Sequence, residues 1–232
     1  MTRSEMHIEF KLLMDKAGEG GSPSFTASEI DRFLNMAQER FVSKRAFGNN
    51  PRGTGFEEDQ KRRDDLRSLI VGTTLNPETG LNIGLLIAGK PNSTFFKLPP
   101  DYRHAIQEEV IKDLSDLDAR TPVKPISHDR YNKIVDDPFN KPTKNTVYRL
   151  GLGRLTENED FVELVHAPGE TIANGYYVLR YIKNPLEIDE SQDCMLPNHT
   201  HREIIRMAVV DALETVEQPR YQSSKIELNE IE

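Results

Sequence analysis

Two groups of residues in this chain have the types and spacing that could do chemistry. In "PNHTHREII", residues 197 to 205, His199 and His201 lie one residue apart and Glu203 follows, with the chain's single cysteine, Cys194, just upstream. Imidazole, thiolate and carboxylate together are the donor types of a zinc site. In "SHDRYNKIVDDPF", residues 127 to 139, the side chains of His128, Asp129, Asp136 and Asp137 are near one another in sequence. A histidine among carboxylates can hold a divalent cation or act as base and acid, the equipment of a metal-dependent hydrolase.

Each group also has a plainer reading. On a helix, residues i and i+2 point about 200° apart, so His199 and His201 could share a metal only on extended backbone. Thr200 and Glu203 make a capping-box pattern directly before the apolar pair Ile204 and Ile205. With Thr200 as N-cap, His201 takes the first helical position, facing solvent or a neighbour, and His199 lies outside. Cys194 is set off from both by Met195, Leu196 and Pro197, a poor ligand spacing. A helix start is the favoured reading. In the second group, Ser127 or Asp129 starts a short helix, Tyr131, Ile134 and Val135 pack, and Pro138 ends it. That too outweighs a metal site.

Nothing else supplies a catalytic motif. The chain has no G-x-x-x-x-G-K-[ST], H-E-x-x-H or G-x-S-x-G. "GLGRL" at 151 to 155 lacks the third glycine of a dinucleotide fingerprint and reads as a bend or bulge within a strand. The remaining histidines, His7, His104 and His166, are scattered. The sequence nominates no catalytic residue, no metal ligand and no cofactor.

Composition narrows the classes further. At 232 residues the chain is one large domain or two small ones, able to bury a real core. Charged residues are 29% and hydrophobic residues 36%, polar but not disordered. The formal charge of −8 opposes a phosphate-neutralising nucleic-acid binder. One cysteine allows no internal disulfide, which fits a reducing compartment. No apolar run reaches the roughly 18–20 residues that span a bilayer. "MTRSEMHIEFKLLMDK" is too charged for a signal peptide. The expectation is a soluble protein made in the cytosol.

The elements that must position these residues fall in blocks. Residues 4 to 17 carry Met6, Phe10, Leu13 and Ala17 on one helical face. "AGEGGSPS" breaks the chain. Thr26 and Glu29 form a first capping box, followed by Ile30, Phe33, Leu34, Ala37 and Phe41 at helical spacing. "FGNNPRGTGF" is a loop, and a charged helix is predicted from about 57 to 71. From about residue 80 the texture becomes strand-like in "LNIGLLIAG", "STFFKLP", "NTVYRLGLGRL", "DFVELVHA" and "GYYVLRYIKNPLEI". "DYRHAIQEEVIKDL" fits helix or strand, with strand preferred. In the last strand Tyr177, Leu179 and Tyr181 alternate with Tyr176, Val178 and Ile182, so both faces are partly apolar. Ile204, Ile205, Ala208, Val209, Ala212, Leu213 and Val216 mark a final helix stopped by Pro219. Beyond it Tyr221, Ile226, Leu228 and Ile231 punctuate a short polar arm that is either ordered on a partner or a disordered terminus.

The ordered set "SEIDRFLNMAQERFV", "LPPDYRHAI", "HDRYNKIVDDPFNKP", "YVLRYIKNPLEI" and "CMLPNHTHREIIRMAVVDALETVEQPRY" resembles the head–tail connector and ring (adaptor) proteins of tailed bacteriophages, above all those of short-tailed crAss-like phages. The resemblance runs from roughly residue 5 to 221. It implies an α+β fold in which N- and C-terminal helices form a bundle around an inserted β-rich sandwich or barrel-like domain. The corresponding division is 1–78 helical, 79–190 β-rich, 191–218 the returning helix and 219–232 an extended tail.

It also implies a virion structural protein and no enzyme. The homo-oligomer is a ring, commonly of twelve copies, between the portal protein and other tail ring or hub proteins. DNA passes through the lumen without specific binding, and an acidic lumen would let the duplex slide. The expected location is the virion neck or tail, and the host cytoplasm during assembly. Another tail ring or hub component is the alternative, with the hydrolase at His128, Asp129, Asp136 and Asp137 behind it.

Overall fold

The computed structural model describes residues 1–17, 25–46, 59–78, 89–112, 119–156, 159–170, 172 and 175–215. The fold is α+β and divides into two units, Met1–Leu69 with Asn184–Glu232 and Ile70–Lys183. The arm residues Tyr221, Ile226, Leu228 and Ile231 lie outside the described residues, as does most of the strand expected at "LNIGLLIAG".

The helical unit begins with α1, Arg3–Ala17, and α2, Ala27–Ala46. Each starts with reciprocal bonds between a threonine and a glutamate, which satisfy backbone amides that have no partner inside the helix. Thr2 N donates to Glu5 at 2.9 Å and Glu5 N to the Thr2 hydroxyl at 3.3 Å. Thr26 N donates to Glu29 at 2.7 Å, and Glu29 N to the Thr26 hydroxyl at 3.4 Å. These bonds hold the Glu29 carboxyl below its ordinary value. The first of these two boxes is one that the helical periodicity had hidden.

The third helix, α3, is shorter than the sequence suggests. It covers only Gln60–Leu66, with Asp59 accepting from Lys61 N at 2.9 Å as its cap. A 3-10 turn, Arg67–Leu69, follows, and Ile70 already belongs to a strand. The apolar residues that looked like the end of one helix serve two elements: Leu66 and Leu69 enter the helical core, while Ile70 and Val71 pair with another strand. β-Branched residues favour that outcome once a partner strand is available.

After the β unit the chain returns through residues 184–200 to the last helix, α5, His201–Thr215. It packs against both α1 and α2. Met6, Phe10, Ile30, Leu34, Phe41, Ile204, Ile205 and Ala208 are buried among them. Phe10, Phe25 and Phe33 add an aromatic cluster with ring centroids 5.5–6.4 Å apart.

The β unit is one seven-stranded sheet in the order β1-β7-β3-β4-β5-β6-β2. Its strands are β1 Ile70–Leu75, β2 Ser93–Lys97, β3 Tyr102–Ile111, β4 Arg120–Pro125, β5 Val147–Thr156, β6 Glu159–Val165 and β7 Tyr176–Lys183. The segment left open between helix and strand is therefore strand β3. β7 lies inside the sheet between β1 and β3, which explains its two apolar faces. Pairing is antiparallel except between β4 and β5. That parallel pair needs a crossover, supplied by α4, His128–Asp136.

The sheet curls far enough for its ends to meet. Pro77, just past β1, bridges Phe96 of β2, and Glu78 N donates to Phe95 O at 2.9 Å. The bridge covers part of the β2 edge and leaves the sheet a half-barrel. The interior holds Phe96, Val110, Val123, Val147, Val162, Leu164, Tyr177 and Leu179. A second cluster, Tyr131, Tyr148, Leu150 and Val165, seats α4 against the sheet. Gly153, with φ of 73°, marks a register shift in β5 within the "GLGRL" stretch.

Candidate subunit interface

The histidines of "PNHTHREII" have separate structural roles. His199 contacts Asp65 with Nε2 2.9 Å from Oδ1. His201 is buried at 1% exposure, a correction to the solvent-facing position expected for it. Its Nε2–H donates to Leu196 O at 2.7 Å, and burial lowers its pKa, with the Leu196 bond opposing. The physical reason is that the chain before α5 folds back, so Leu196 O reaches the first helical residue. Cys194 is buried, donates to Gln38 Oε1 at 3.2 Å, and its thiol is pushed up to about 11 by burial.

Thr200 and Glu203 do not exchange the bonds their spacing suggests. The Thr200 hydroxyl donates to Pro197 O at 2.9 Å, while Thr200 O accepts from Ile204 N at 3.1 Å. Glu203 instead accepts from Arg45 Nη2 at 2.7 Å. A buried guanidinium nearby is a stronger partner for a carboxylate than a backbone amide. Arg45 also stands beside Asp65 and lies over the Phe41 ring, 4.9 Å from its centroid. Glu203 and His199 are thus part of an ion-pair network joining α2, α3 and α5, while His201 and Cys194 bond elsewhere.

The second group does not converge either. His128 and Asp129 open α4, Asp136 ends it and Asp137 is its C-cap, about 12 Å apart along a nine-residue helix. The His128 ring Nε2–H donates to Gly151 O at 2.6 Å, and Asp137 accepts from Phe139 N and Asn140 Nδ2. Among the described residues no three His, Cys, Asp or Glu side chains are placed to hold a metal ion. The hydrolase reading has no assembled donor set there.

A polar group inside the β unit escaped the sequence reading. Glu108 of β3 lies 2.9 Å from Arg149 Nε of β5 and accepts from Tyr177 OH of β7 at 2.8 Å. Burial raises the Glu108 pKa, and Arg149 and Tyr177 oppose it. The Tyr177 phenol is raised as well, by burial first and then by the Glu108 charge. Tyr177 hydrogen-bonds Glu108, and Arg149 pairs with it by charge outside hydrogen-bonding geometry, a structural role inside the sheet. No periodicity could reveal it, because the residues come from three distant strands.

What the described surface offers is contact area. Phe139 is 92% exposed, Met36 50% and Leu186 52%, with Ile8 and Leu12 one turn apart on α1 also exposed. Among the described residues no helix is long and apolar enough to cross a membrane.

The family model for phage tail ring protein 3/4 matches residues 1–223. The chain belongs to this family. It is 27% identical over 230 residues to "Ring protein 3" of Bacteroides phage crAss001, covering 90% of this chain and 94% of that protein. A tail ring protein 3/4 is a structural component of a phage virion, assembled as a ring with other tail components. The exposed apolar residues are therefore read as candidates for subunit contact.

Proposed function

We propose that this ring protein forms part of the connector between portal and tail, with twelve copies around the channel through which the genome leaves. The family match over residues 1–223 carries this reading. The α+β fold, with its helical unit and its β unit, is compatible with a structural subunit. The formal charge of −8 suits a channel that must not grip DNA: carboxylates repel phosphates, whereas a basic wall would bind them through counterion release. Assembly takes place in the host cytoplasm, and the product stays in the virion neck.

Cyclic rings are built from heterologous contacts, one face of a copy meeting a different face of the next. The arm residues Tyr221, Ile226, Leu228 and Ile231 are proposed to dock on an adjacent subunit or ring. Negative-stain electron microscopy of the chain, alone and co-expressed with its portal protein, tests the reading. Twelvefold rings seated on the portal are expected. Rings that assemble only with distal tail proteins would instead make it another tail ring or hub component.

A further inference from the structure

The residues after α4 form a turn with an unusual combination of rigidity and exposure. Asp137 Oδ1 accepts from Phe139 N at 2.9 Å and Oδ2 from Asn140 Nδ2 at 2.6 Å. Asp137 O accepts from Asn140 N and Lys141 N at 3.3 and 3.0 Å. From the sheet, Tyr148 OH donates to Asn140 O at 2.5 Å. Lys112 Nζ anchors the next bend through Lys144 O at 2.7 Å. This bonded platform presents the Phe139 ring almost wholly to solvent. Lys141 and Lys144 are exposed beside it.

A groove of opposite character runs along α2. It is lined by Met36, Pro185, Arg32 and the carboxylates of Glu39, Glu187 and Asp189. Its far wall, residues 185–189, is pinned to α2. Asn35 donates to Ile188 O at 3.1 Å and accepts from Ile188 N at 2.8 Å, and Gln38 Nε2 donates to Leu186 O at 2.9 Å. Met36 in this groove is half exposed, and a thioether is a favourable neighbour for an aromatic ring.

We propose that the Phe139 turn of one copy docks in the α2 groove of a second copy of this chain, an inference that rests on the ring reading. A closed ring needs two unlike surfaces on the same chain, and these are a knob and a recess of complementary charge. The lysines flanking Phe139 meet the carboxylates of the groove, and the ring itself meets Met36 and Pro185. Both surfaces are held by internal hydrogen bonds before contact, so docking orders little that is mobile. Exposed aromatic residues on rigid supports are the side chains on which interfaces concentrate their affinity.

The test uses the full chain in two singly substituted forms, Phe139→Cys and Met36→Cys, mixed under mild oxidation. Cys194 is buried and stays out of the reaction. Covalent dimers are expected from the mixture and not from either form alone. Phe139→Ala should weaken self-association roughly tenfold or more with an unchanged melting temperature. Lys141→Glu with Lys144→Glu should weaken it as well, and Glu39→Lys with Glu187→Lys on the partner should restore it. Rings that assemble normally with Phe139→Ala and give no mixed cross-link overturn the docking and leave the ring reading intact. A chain that stays monomeric both alone and beside its tail partners overturns both.

Discussion

Arg45 Nε stands 3.0 Å from Asp65 Oδ2, with the two side chains 7% and 2% exposed. The contact is a charge pair outside hydrogen-bonding geometry, and Glu203 and His199 complete the set around it. Arg45→Ala strands a buried carboxylate and should cost about 3–5 kcal/mol in urea unfolding. Arg45→Met combined with Asp65→Leu and Glu203→Gln should lose much less, because neither carboxylate is left without its guanidinium. Equal losses would mean that packing, not charge, holds this junction.

His201 gives the helical unit an acid-side weakness. Its folded-state pKa lies below the ordinary 6.5 because burial disfavours the imidazolium. Above 6.5 the ring is neutral folded or unfolded, and no penalty arises. As pH falls through the window below 6.5, the unfolded chain takes the proton first and stability is lost. His201→Gln should therefore show a smaller loss between about pH 7 and pH 5.5 in denaturant titrations. His104 and His166 are shifted in the same direction, so the slope should lessen without vanishing.

Gly175, just before β7, has no room for a side chain. A Cβ there would lie 2.1 Å from Ile111 O, a backbone atom at the end of β3. Gly175→Ala should disturb the pairing of Ile111 with Tyr176 and destabilise the β unit by about 1–3 kcal/mol. Hydrogen exchange at the β3–β7 pair reads the effect directly, and unchanged protection would count against it.

Asp137→Ala separates the turn's role from that of the ring it carries. The residue is only partly covered and its bonds are local, so global stability should be nearly unchanged. Self-association should nevertheless weaken, because Phe139 loses its fixed presentation. Thermal melts and sedimentation velocity on the same variant measure the two effects.

Truncation after Pro219 removes Tyr221, Ile226, Leu228 and Ile231. The shortened chain should fold with unchanged melting temperature yet assemble more weakly. Unaltered assembly would leave the arm without the proposed docking role.

Much of the helical unit can be read locally, and the reasons are specific. The Thr26–Glu29 box and the Ile30–Phe41 stripe lie within single helical turns of one another, so spacing alone places them. The same logic fails at Thr200 and Glu203. Their spacing is right, but Arg45, distant in sequence, is a better partner for the carboxylate. Ile70 shows the same limit, since an apolar residue at a helix end takes its structure from the strand it meets.

By itself the sequence determined the α+β class, the rough order of elements and the lack of any known catalytic motif. Those properties follow from the 3.6-residue and two-residue periods and from residue chemistry, which are local. Tertiary structure alone decided that His199, His201 and Cys194 take separate protein partners, and that Arg149 and Tyr177 gather on Glu108 from distant strands. It also decided that Tyr148 and Asp137 hold Phe139 out in solvent. Each of these depends on which distant segment comes close, and proximity across the chain has no period to read.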